Sequence, residues 1–315
     1  MMMLNEILPI KYPIIMAPMF LVTNVKMMLA AMDSGIAGCI PALNFRTLAE
    51  FEKALIILQK TGKCYGVNLI VNKSNYKLQD QLNLCLQYKV PFIITSLGSP
   101  EKVISACRSA GIKVFCDVSE MAFAHKAARF APDALIAVLN NAGGHHGHLS
   151  AEQFIPALRT AFPSIPVISA GGVGDHKSYI NKLNLGVSGV SIGSVFIASE
   201  ESDVTAEYKE ACVHYGAADI VSTTKLSGVP CTVINTPYVR DMGLRENWLE
   251  RFLHRNKRFK KWLKMIVYKR GMSLLQKAAF SASYQKVWCA GPTIEYTTEI
   301  LPIQEIVRRL VQNID

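Results

Sequence analysis

The stretch IPVISAGGVGDHKSYINKLNLGVSGVSIGS, residues 165–194, contains the same pattern twice. A short apolar run ends in glycines, a segment with helical spacing follows, and a second apolar run again ends in glycine. Strands that are apolar along their length and alternate with amphipathic helices are typical of parallel strands covered by helices. Residues 165–194 therefore predict two parallel strands joined by one helix, with a glycine loop after each strand.

The same alternation extends back to the start of the chain. Helical spacing occurs between the apolar runs, as in TLAEFEKALIILQK and YKLQDQLNLCLQYK. The eight runs are YPIIMAP, GIAGCIPA, CYGVNLI, PFIITS, KVFCDVS, ALIAVLN, IPVISAGG and VSGVSIGS. Eight such units in about 200 residues predict an α/β fold of the closed (β/α)8 type, the TIM barrel. A doubly wound sheet, the main alternative, would need a GxGxxG after the first strand, where PIIMAPMF has no glycine.

Polar and small residues follow the predicted strands. They are Pro18-Met19, Asn68, Ser96, Asp117, Asn140-Asn141, Gly171-Gly172 and Gly193-Ser194. In a TIM barrel the carboxyl ends of the strands form one face, and active sites lie on that face. The sequence therefore predicts that these residues surround a single site.

The alternation of strands and helices stops after the eighth strand. We predict a barrel core that carries the site in residues 1–202, a helical insertion over the barrel mouth in 203–290, and a last barrel helix in 291–315, which contains LPIQEIVRRLVQNI. The chain carries a net charge of +10. Between Arg245 and Arg270, ten Lys/Arg and two Glu contribute +8, so the other residues contribute +2.

Residues 245–270 interleave these cations with apolar residues three or four apart, which predicts an amphipathic helix. Three roles stay open: a lid helix with solvated lysines, a contact with an anionic membrane surface, or a dock for an acidic carrier such as acyl carrier protein or coenzyme A phosphates. Nucleic acid is not an expected partner, because the rest of the chain offers no basic face.

Composition indicates a globular protein with a large core, since 50% of the residues are hydrophobic and 18% are charged. The start, MMMLNEILPIKYP, contains Glu6 and no basic leader, so it is not interpreted as a signal peptide. Eight cysteines lie at scattered positions without a CxxC pair. We therefore expect buried reduced thiols in a cytoplasmic protein, and no zinc or disulfide framework.

Two glycine loops, SAGGVGD (169–175) and IGSVF (192–196), follow the seventh and eighth predicted strands. Loops at these places in TIM barrels commonly bind phosphate, although each alone also suits a tight turn. Asp175 is a predicted N-cap. Neither loop has the lysine of a Walker motif, so hydrolysis of a nucleoside triphosphate is not indicated. FMN fits this pattern, with its phosphate between Gly171 and Gly193 and its ring across the barrel mouth.

The stretch NAGGHHGH, residues 141–148, follows the sixth predicted strand. A metal site is disfavoured, because adjacent histidines point in different directions and the loop has no Cys, Asp or Glu. Surface histidines are a second possibility. As a loop beside a cofactor, its glycines would let the backbone pass a flat ring, and a neutral imidazole near the ring could accept or donate a proton.

The chain resembles the nitronate monooxygenase family, formerly called 2-nitropropane dioxygenases, whose near relatives are FMN-dependent enoyl-acyl-carrier-protein reductases. YPIIMAPM, CYGVNL, AGGHHG, PVISAGGVGD and VSIGSVFIASEES carry the resemblance. It implies a TIM barrel, one non-covalent FMN and catalysis by His145, with Met19 and Asn68 near the ring and with Gly172 and Gly193-Ser194 near the phosphate. The residues predicted to contact the cofactor are Ala17, Pro18, Met19, Asn68, Ser96, Ala142, Gly143, Gly144, Ala170, Gly171, Gly172, Gly193 and Ser194.

Two departures from the family pattern concern the substrate. Asn141 stands where relatives usually carry an acidic residue, and Val195 stands where many carry Arg or Lys. We predict a monooxygenase that oxidises alkyl nitronates with O2. The alternative is an NAD(P)H-dependent reductase of enoyl thioesters or quinones; a third possibility is a barrel that binds a phosphorylated ligand without turnover. The other expectations are a small-molecule substrate and a homodimer.

Overall fold

The computed structural model describes residues 2–226, 229–244 and 287–312. The strands are β1 (Ile14–Met16), β2 (Ala37–Pro41), β3 (Tyr65–Ile70), β4 (Phe92–Ser96), β5 (Lys113–Val118), β6 (Ala134–Val138), β7 (Gly144–His145), β8 (Val167–Ala170), β9 (Gly189–Ile192), β10 (Ile220–Thr223) and β11 (Cys231–Ile234). The helices are α1 (Leu4–Ile7), α2 (Val25–Asp33), α3 (Leu48–Gln59), α4 (Leu78–Gln87), α5 (Glu101–Ala110), α6 (Met121–Ala128), α7 (Ala151–Ala161), α8 (His176–Asn184), α9 (Ala206–His214), α10 (Pro237–Met242) and α11 (Ile303–Val311).

Eight parallel strands form a closed barrel in the order β1-β2-β3-β4-β5-β6-β8-β9. The barrel closes where β1 pairs with β9, with Ile15 opposite Ser191. These strands lie within the eight apolar runs of the sequence, so the predicted TIM barrel is confirmed. The predicted cap is also confirmed, because the Asp175 side chain accepts a hydrogen bond from Ser178 N (2.8 Å) at the start of α8.

Apolar side chains from the strands fill the barrel interior and form a cluster that includes Ile15, Ile94 and Ile168. The rings of Phe92 and Phe115 stack within this cluster, with their centroids 5.3 Å apart. Leu4 and Leu8 belong to the same cluster, so the segment around α1 covers the amino-terminal end of the barrel. The opposite, carboxyl-terminal end is the mouth.

The helices cover the outside of the barrel. The last of them, α11, packs against α2 and α8, so it takes the place of the helix expected after the eighth barrel strand. Seven of the eight cysteines are buried, as the sequence predicts, and Cys289 is half-buried. None of the helices in the described residues combines the length and the apolar character needed to span a membrane.

A second sheet, β10-β11-β7, lies outside the barrel order. Strand β11 pairs antiparallel with both β10 and β7. The sequence predicts helices after residue 203, and the structure shows α9 and α10 there together with two strands, β10 and β11, that the sequence does not predict. The basic segment 245–270 lies outside the described residues, and the proposed domain boundaries stay predictions.

Candidate active site

The predicted site residues all lie at the mouth of the barrel. Asn68 is in β3, Ser96 ends β4 and Ala170 ends β8. The others lie just after β1 (Ala17, Pro18, Met19), between β6 and β7 (Ala142, Gly143), in β7 (Gly144, His145), after β8 (Gly171, Gly172) and after β9 (Gly193, Ser194). Contacts among the loops show how the backbone draws these positions together.

The glycine loop after β8 packs directly against the loop after β6. Gly171 and Gly172 have φ angles of 112° and 75°, a region that favours glycine. A Cβ on Gly172 would lie 2.2 Å from Asn141 Nδ2, and one on Gly171 would lie 2.7 Å from Ala142 N. Glycine is therefore required at both positions by backbone conformation and by space.

Ser194 joins the loop after β6 to the closing segment, residues 287–292. Its Oγ accepts a hydrogen bond from Gly291 N (2.9 Å), which leaves the hydroxyl proton available for donation. A Cβ on Gly143 would lie 2.7 Å from Ser194 Oγ and 2.9 Å from Gly291 N. Three backbone segments therefore meet with almost no side chain between them.

The closing segment is anchored through Tyr208 in α9. The Tyr208 hydroxyl donates to Cys289 O (2.5 Å), and its ring stacks on Trp288 with centroids 5.5 Å apart. This anchoring holds Gly291 beside Ser194.

The loop after β1 is held in shape by Asn44. The Asn44 side chain accepts from Leu21 N (2.9 Å) and donates to Thr23 O (2.8 Å) and Met19 O (3.3 Å). Gly193 lies beside this loop, since a Cβ there would be 3.5 Å from the Met19 side chain and 3.6 Å from Ala17 Cβ. Gly193 is thus open enough to let a ligand approach the backbone.

His145 is fixed by backbone pairing between β7 and β11, in which His145 lies opposite Cys231 and Gly144 lies opposite Thr232. The buried hydroxyl of Thr232 bonds to Ala142 O (3.1 Å) and Gly144 O (3.3 Å). Thr232 therefore fixes the Ala142–Gly143 and Gly144–His145 peptide units, and the second of these leads directly into the histidine.

The neighbouring histidine, His146, is held by hydrogen bonds at both ring nitrogens. Nδ1 lies 2.8 Å from Gly147 O and Nε2 lies 2.9 Å from Ser222 Oγ. Because a carbonyl oxygen only accepts, Nδ1 carries the proton and Nε2 accepts from the Ser222 hydroxyl. This arrangement suits a structural role for His146.

His145 favours its neutral form. The residue is exposed at the surface, yet surrounding protein atoms desolvate the ring enough to lower its pKa, and His146 lowers that pKa further. A group with a lowered pKa is unprotonated over most of the neutral range, so His145 can act as a proton acceptor.

A row of polar side chains lies on the part of the mouth formed by β3, β4 and β5. Asn68 Nδ2 donates to Ser96 Oγ (2.7 Å) and to Ile94 O (3.1 Å), and Ser96 Oγ donates to Asp117 Oδ2 (2.5 Å). Burial raises the pKa of Asp117 to about 6, and the Ser96 hydrogen bond opposes that rise. Asp117 is therefore mainly ionised at neutral pH.

The family model for nitronate monooxygenase matches residues 75–313. This chain belongs to the nitronate monooxygenase family. It is therefore a flavin-dependent oxidoreductase with a TIM-barrel fold. The resemblance noted in the sequence is confirmed, and the match extends it through the closing segment.

Individual relatives are identical to this chain at about one residue in four. The chain is 26% identical over 240 residues to (3aS,4S,5R,7aS)-5-hydroxy-7a-methyl-1-oxo-octahydro-1H-indene-4-carboxyl-CoA dehydrogenase of Rhodococcus jostii, covering 76% of this chain and 67% of that one. It is 26% identical over 286 residues to a probable nitronate monooxygenase of Staphylococcus aureus, covering 77% and 81%. The solved structure of FabK from Thermotoga maritima superposes with a TM-score of 0.84 at 27% identity, covering 98% and 94%.

The polar groups at the mouth of this barrel suit a flavin nucleotide. Asn141 Oδ1 is buried beside Gly172 without a hydrogen-bond partner among the described residues, and an unpaired acceptor there needs a donor such as a ribityl hydroxyl. Gly193 leaves its backbone open, and Ser194 retains a hydroxyl proton for an anion.

Two positions that shape the site, Thr232 and Gly291, were not indicated by the sequence, and the hydrogen bond of a third, Asp117, was not predicted. Thr232 and Gly291 reach the site from 88 and 97 residues away from their partners Gly144 and Ser194. No local pattern marks such distant contacts. Asp117 was recognised as a strand end, but its bond to Ser96 depends on the register of β4 against β5.

Proposed function

We propose that this family member binds FMN and oxidises alkyl nitronates with O2, with His145 as the residue that handles the substrate proton. The observation that carries the proposal is the placement of His145. It directly follows Gly143 and Gly144, whose loop packs on Ser194 and, through Ala142, on Gly171. A histidine in that position stands beside the cradle that we assign to the cofactor.

The phosphate of FMN would be held by the backbone around Gly171, Gly172 and Gly193 and by the Ser194 hydroxyl. Asn141 Oδ1 would accept from the ribityl chain, and Met19, Asn68 and Ser96 would border the ring. Closely spaced backbone N–H groups in glycine loops are suited to anions. One cradle favours FMN over FAD; flavin released by heating the purified protein should be FMN, and recovery of FAD would contradict the assignment.

Bound FMN would supply the electron-accepting chemistry. The chain's own contribution is to orient the substrate and to manage its proton. A neutral His145 imidazole accepts a hydrogen bond or a proton at one nitrogen and donates at the other. The pairing of β7 with β11 keeps the histidine backbone in place, so the ring needs little reorganisation when substrate binds.

The test compares His145→Ala with His146→Ala and His148→Ala. We expect His145→Ala to retain bound flavin and to lose turnover of a small alkyl nitronate by roughly 100-fold or more, the scale of acid–base contributions. His146→Ala and His148→Ala should retain most of the activity. Equal impairment of all three variants, or normal turnover by His145→Ala, would remove His145 from its assigned role.

A second candidate function is NAD(P)H-dependent reduction of enoyl thioesters. It is supported by the similarity to a dehydrogenase whose name specifies a coenzyme A thioester. The two functions separate in one experiment on the flavin-loaded protein under anaerobic conditions. Bleaching of the flavin by a nitronate but not by NAD(P)H supports the first function, and the reverse supports the second.

Several finer expectations stay predictions within this proposal. They are binding of an acidic carrier or an anionic membrane surface by residues 245–270, a homodimer, and a cytoplasmic location. Gel filtration of the purified protein tests the homodimer. The salt dependence of turnover with carrier-bound substrates tests the carrier, because association driven by surface charge weakens as salt rises.

A further inference from the structure

Asp117 introduces a negative charge into the mouth of the barrel. Side chains alternate between the two faces of a strand, and Phe115, two residues earlier on β5, belongs to the interior cluster. Asp117 therefore also faces the interior, one layer closer to the mouth. By the same alternation Ala17, Pro41, Asn68, Ser96, Val138, Ala170 and Gly193 also face the interior near the mouth, and we call these residues together with Asp117 the rim layer.

The polar members of the rim layer are Asn68, Ser96 and Asp117, and they form one continuous hydrogen-bonded row on adjacent strands. The amide of Asn68 donates to Ser96, and Ser96 donates to Asp117. The hydrogen bonds between these three side chains thus all run toward the carboxylate. The row fixes Asp117 Oδ2, while Oδ1 receives no hydrogen bond from the described residues.

The charge of Asp117 is not neutralised by a cation within the described part of the chain. Its pKa reflects burial and the Ser96 hydrogen bond alone. Two thiols, Cys39 in β2 and Cys116 in β5, have their pKa values raised by Asp117 in addition to their own burial. They therefore stay protonated and provide no compensating charge, so a ligand in the mouth would experience the field of the carboxylate.

The polar row and the glycine cradle lie on opposite walls. In the closed order β1-β2-β3-β4-β5-β6-β8-β9, strands β3 and β4 are diametrically across from β8 and β9. The interior of an eight-stranded barrel is only wide enough for side chains. A flavin with its phosphate on β8 and β9 and its ring across the mouth consequently brings the ring to β3, β4 and β5. The wall formed by Val138, Ala170 and Gly193 offers small or apolar groups instead.

We propose that Asp117 sets the reduction potential of the bound flavin, because its carboxylate borders the ring and opposes the negative charge that reduction adds there. The proposal rests on the FMN binding proposed above, but it is independent of the identity of the substrate. In this role Asp117 is a positioning and tuning residue, and the row from Asn68 through Ser96 holds it in place.

The test is the reduction potential of FMN-loaded protein with Asp117→Asn. Asparagine keeps an acceptor for the Ser96 hydroxyl and removes the charge. Potentials are measured by equilibration with a redox dye at a mildly alkaline pH, where Asp117 is ionised. We expect the equilibrium to shift about tenfold or more toward reduced flavin, which corresponds to a rise of about 30 mV for two electrons.

Two further variants separate charge at the ring from other effects. Asp133→Asn removes the same charge at the amino-terminal end of β6, where Asp133 pairs with Lys113 Nζ (3.0 Å), and it should leave the potential unchanged. Ser96→Ala breaks the row but keeps the carboxylate, and because it removes a hydrogen bond that lowers the pKa of Asp117, its potential is measured at a higher pH, where Asp117 is ionised in the variant as well. At that pH Ser96→Ala should not raise the potential. This variant keeps the proposal testable if Asp117→Asn folds poorly, since a rise in Ser96→Ala at that pH would contradict a role for the charge.

The outcomes distinguish this inference from the function on which it rests. Wild-type protein that binds no FMN overturns both. FMN binding with the same potential in wild type and Asp117→Asn overturns the inference alone, as does an equal shift in Asp133→Asn. A raised potential in Asp117→Asn supports it, whether or not nitronates are substrates.

Discussion

Replacing Thr232 with valine tests whether the hydrogen bonds of its hydroxyl to the loop before His145, which we call the histidine loop, matter for turnover. Thr232 lies in β11 and is 6% exposed. Its hydroxyl bonds Ala142 O at 3.1 Å and Gly144 O at 3.3 Å. Valine keeps the branched shape and the strand backbone, so the pairing of Thr232 with Gly144 persists. The substitution therefore removes the hydroxyl contacts and little else.

The expected loss of stability is modest. Both contacts are long and share one hydroxyl proton, so together they contribute about as much as one ordinary hydrogen bond, roughly 0.5–1.5 kcal/mol. Leaving two carbonyl oxygens without this donor raises the expected loss to about 1–2 kcal/mol. The effect on turnover should be larger in proportion, because a displacement of a catalytic group by about 1 Å lowers rates by up to about 100-fold.

Thr223→Val provides the matched control. Thr223 lies in β10 of the same sheet, is 1% exposed, and donates to Leu244 O (3.0 Å), away from the histidine loop. Chemical denaturation should show similar destabilisation for both variants. Nitronate turnover per bound flavin should fall about tenfold or more only in Thr232→Val. Equal turnover in the two variants would show that these hydrogen bonds do not position His145.

Two predictions concern the cradle and the proton. Gly172→Ala should lose flavin affinity and more stability than Gly111→Ala. Both glycines have positive φ (75° and 71°), but only at Gly172 would a Cβ collide with Asn141, whereas none lies within 4 Å at Gly111. Titration with FMN and thermal unfolding measure the difference, and equal effects would refute the role of close packing. Because its pKa is lowered, His145 should stay unprotonated until pH falls below the ordinary histidine range. kcat/KM should then fall with acidification in wild type, and this limb should be absent from His145→Ala.

The barrel could be predicted from sequence because each of its strands and helices is indicated by residues that are close together in the chain. Each strand is a short apolar run, each helix has its own spacing and cap, and the parallel connection follows from their alternation. The positions that end the strands therefore converged on one face without knowledge of any side-chain contact. Asp175 illustrates the local character of this information, since its bond to Ser178 spans three residues.

The second sheet could not be predicted in the same way. Strand β7 has two residues and contains Gly144, so it shows neither length nor alternation. In the sequence, the barrel strands β8 and β9 and the helices α7 to α9 lie between β7 and its partner β11. The pairing therefore depends on how the segment after β9 folds back toward the loop after β6. Within the site, the sequence pointed to His145 but gave no sign that Thr232 holds the peptide units before it.

The glycine loops and the strand opposite His145 come from different parts of the chain. The cradle that we assign to the cofactor is made of backbone from the barrel itself, and two of its glycines, Gly171 and Gly172, have conformations that exclude other residues. The strand that faces His145 comes instead from the segment after the barrel, which places Cys231 directly opposite the histidine. In a sheet, opposed residues share a face, so changes in β11 alter the surroundings of His145 without touching the glycines. We therefore expect substitutions in β11 to change the substrate preference of this chain more than its affinity for flavin.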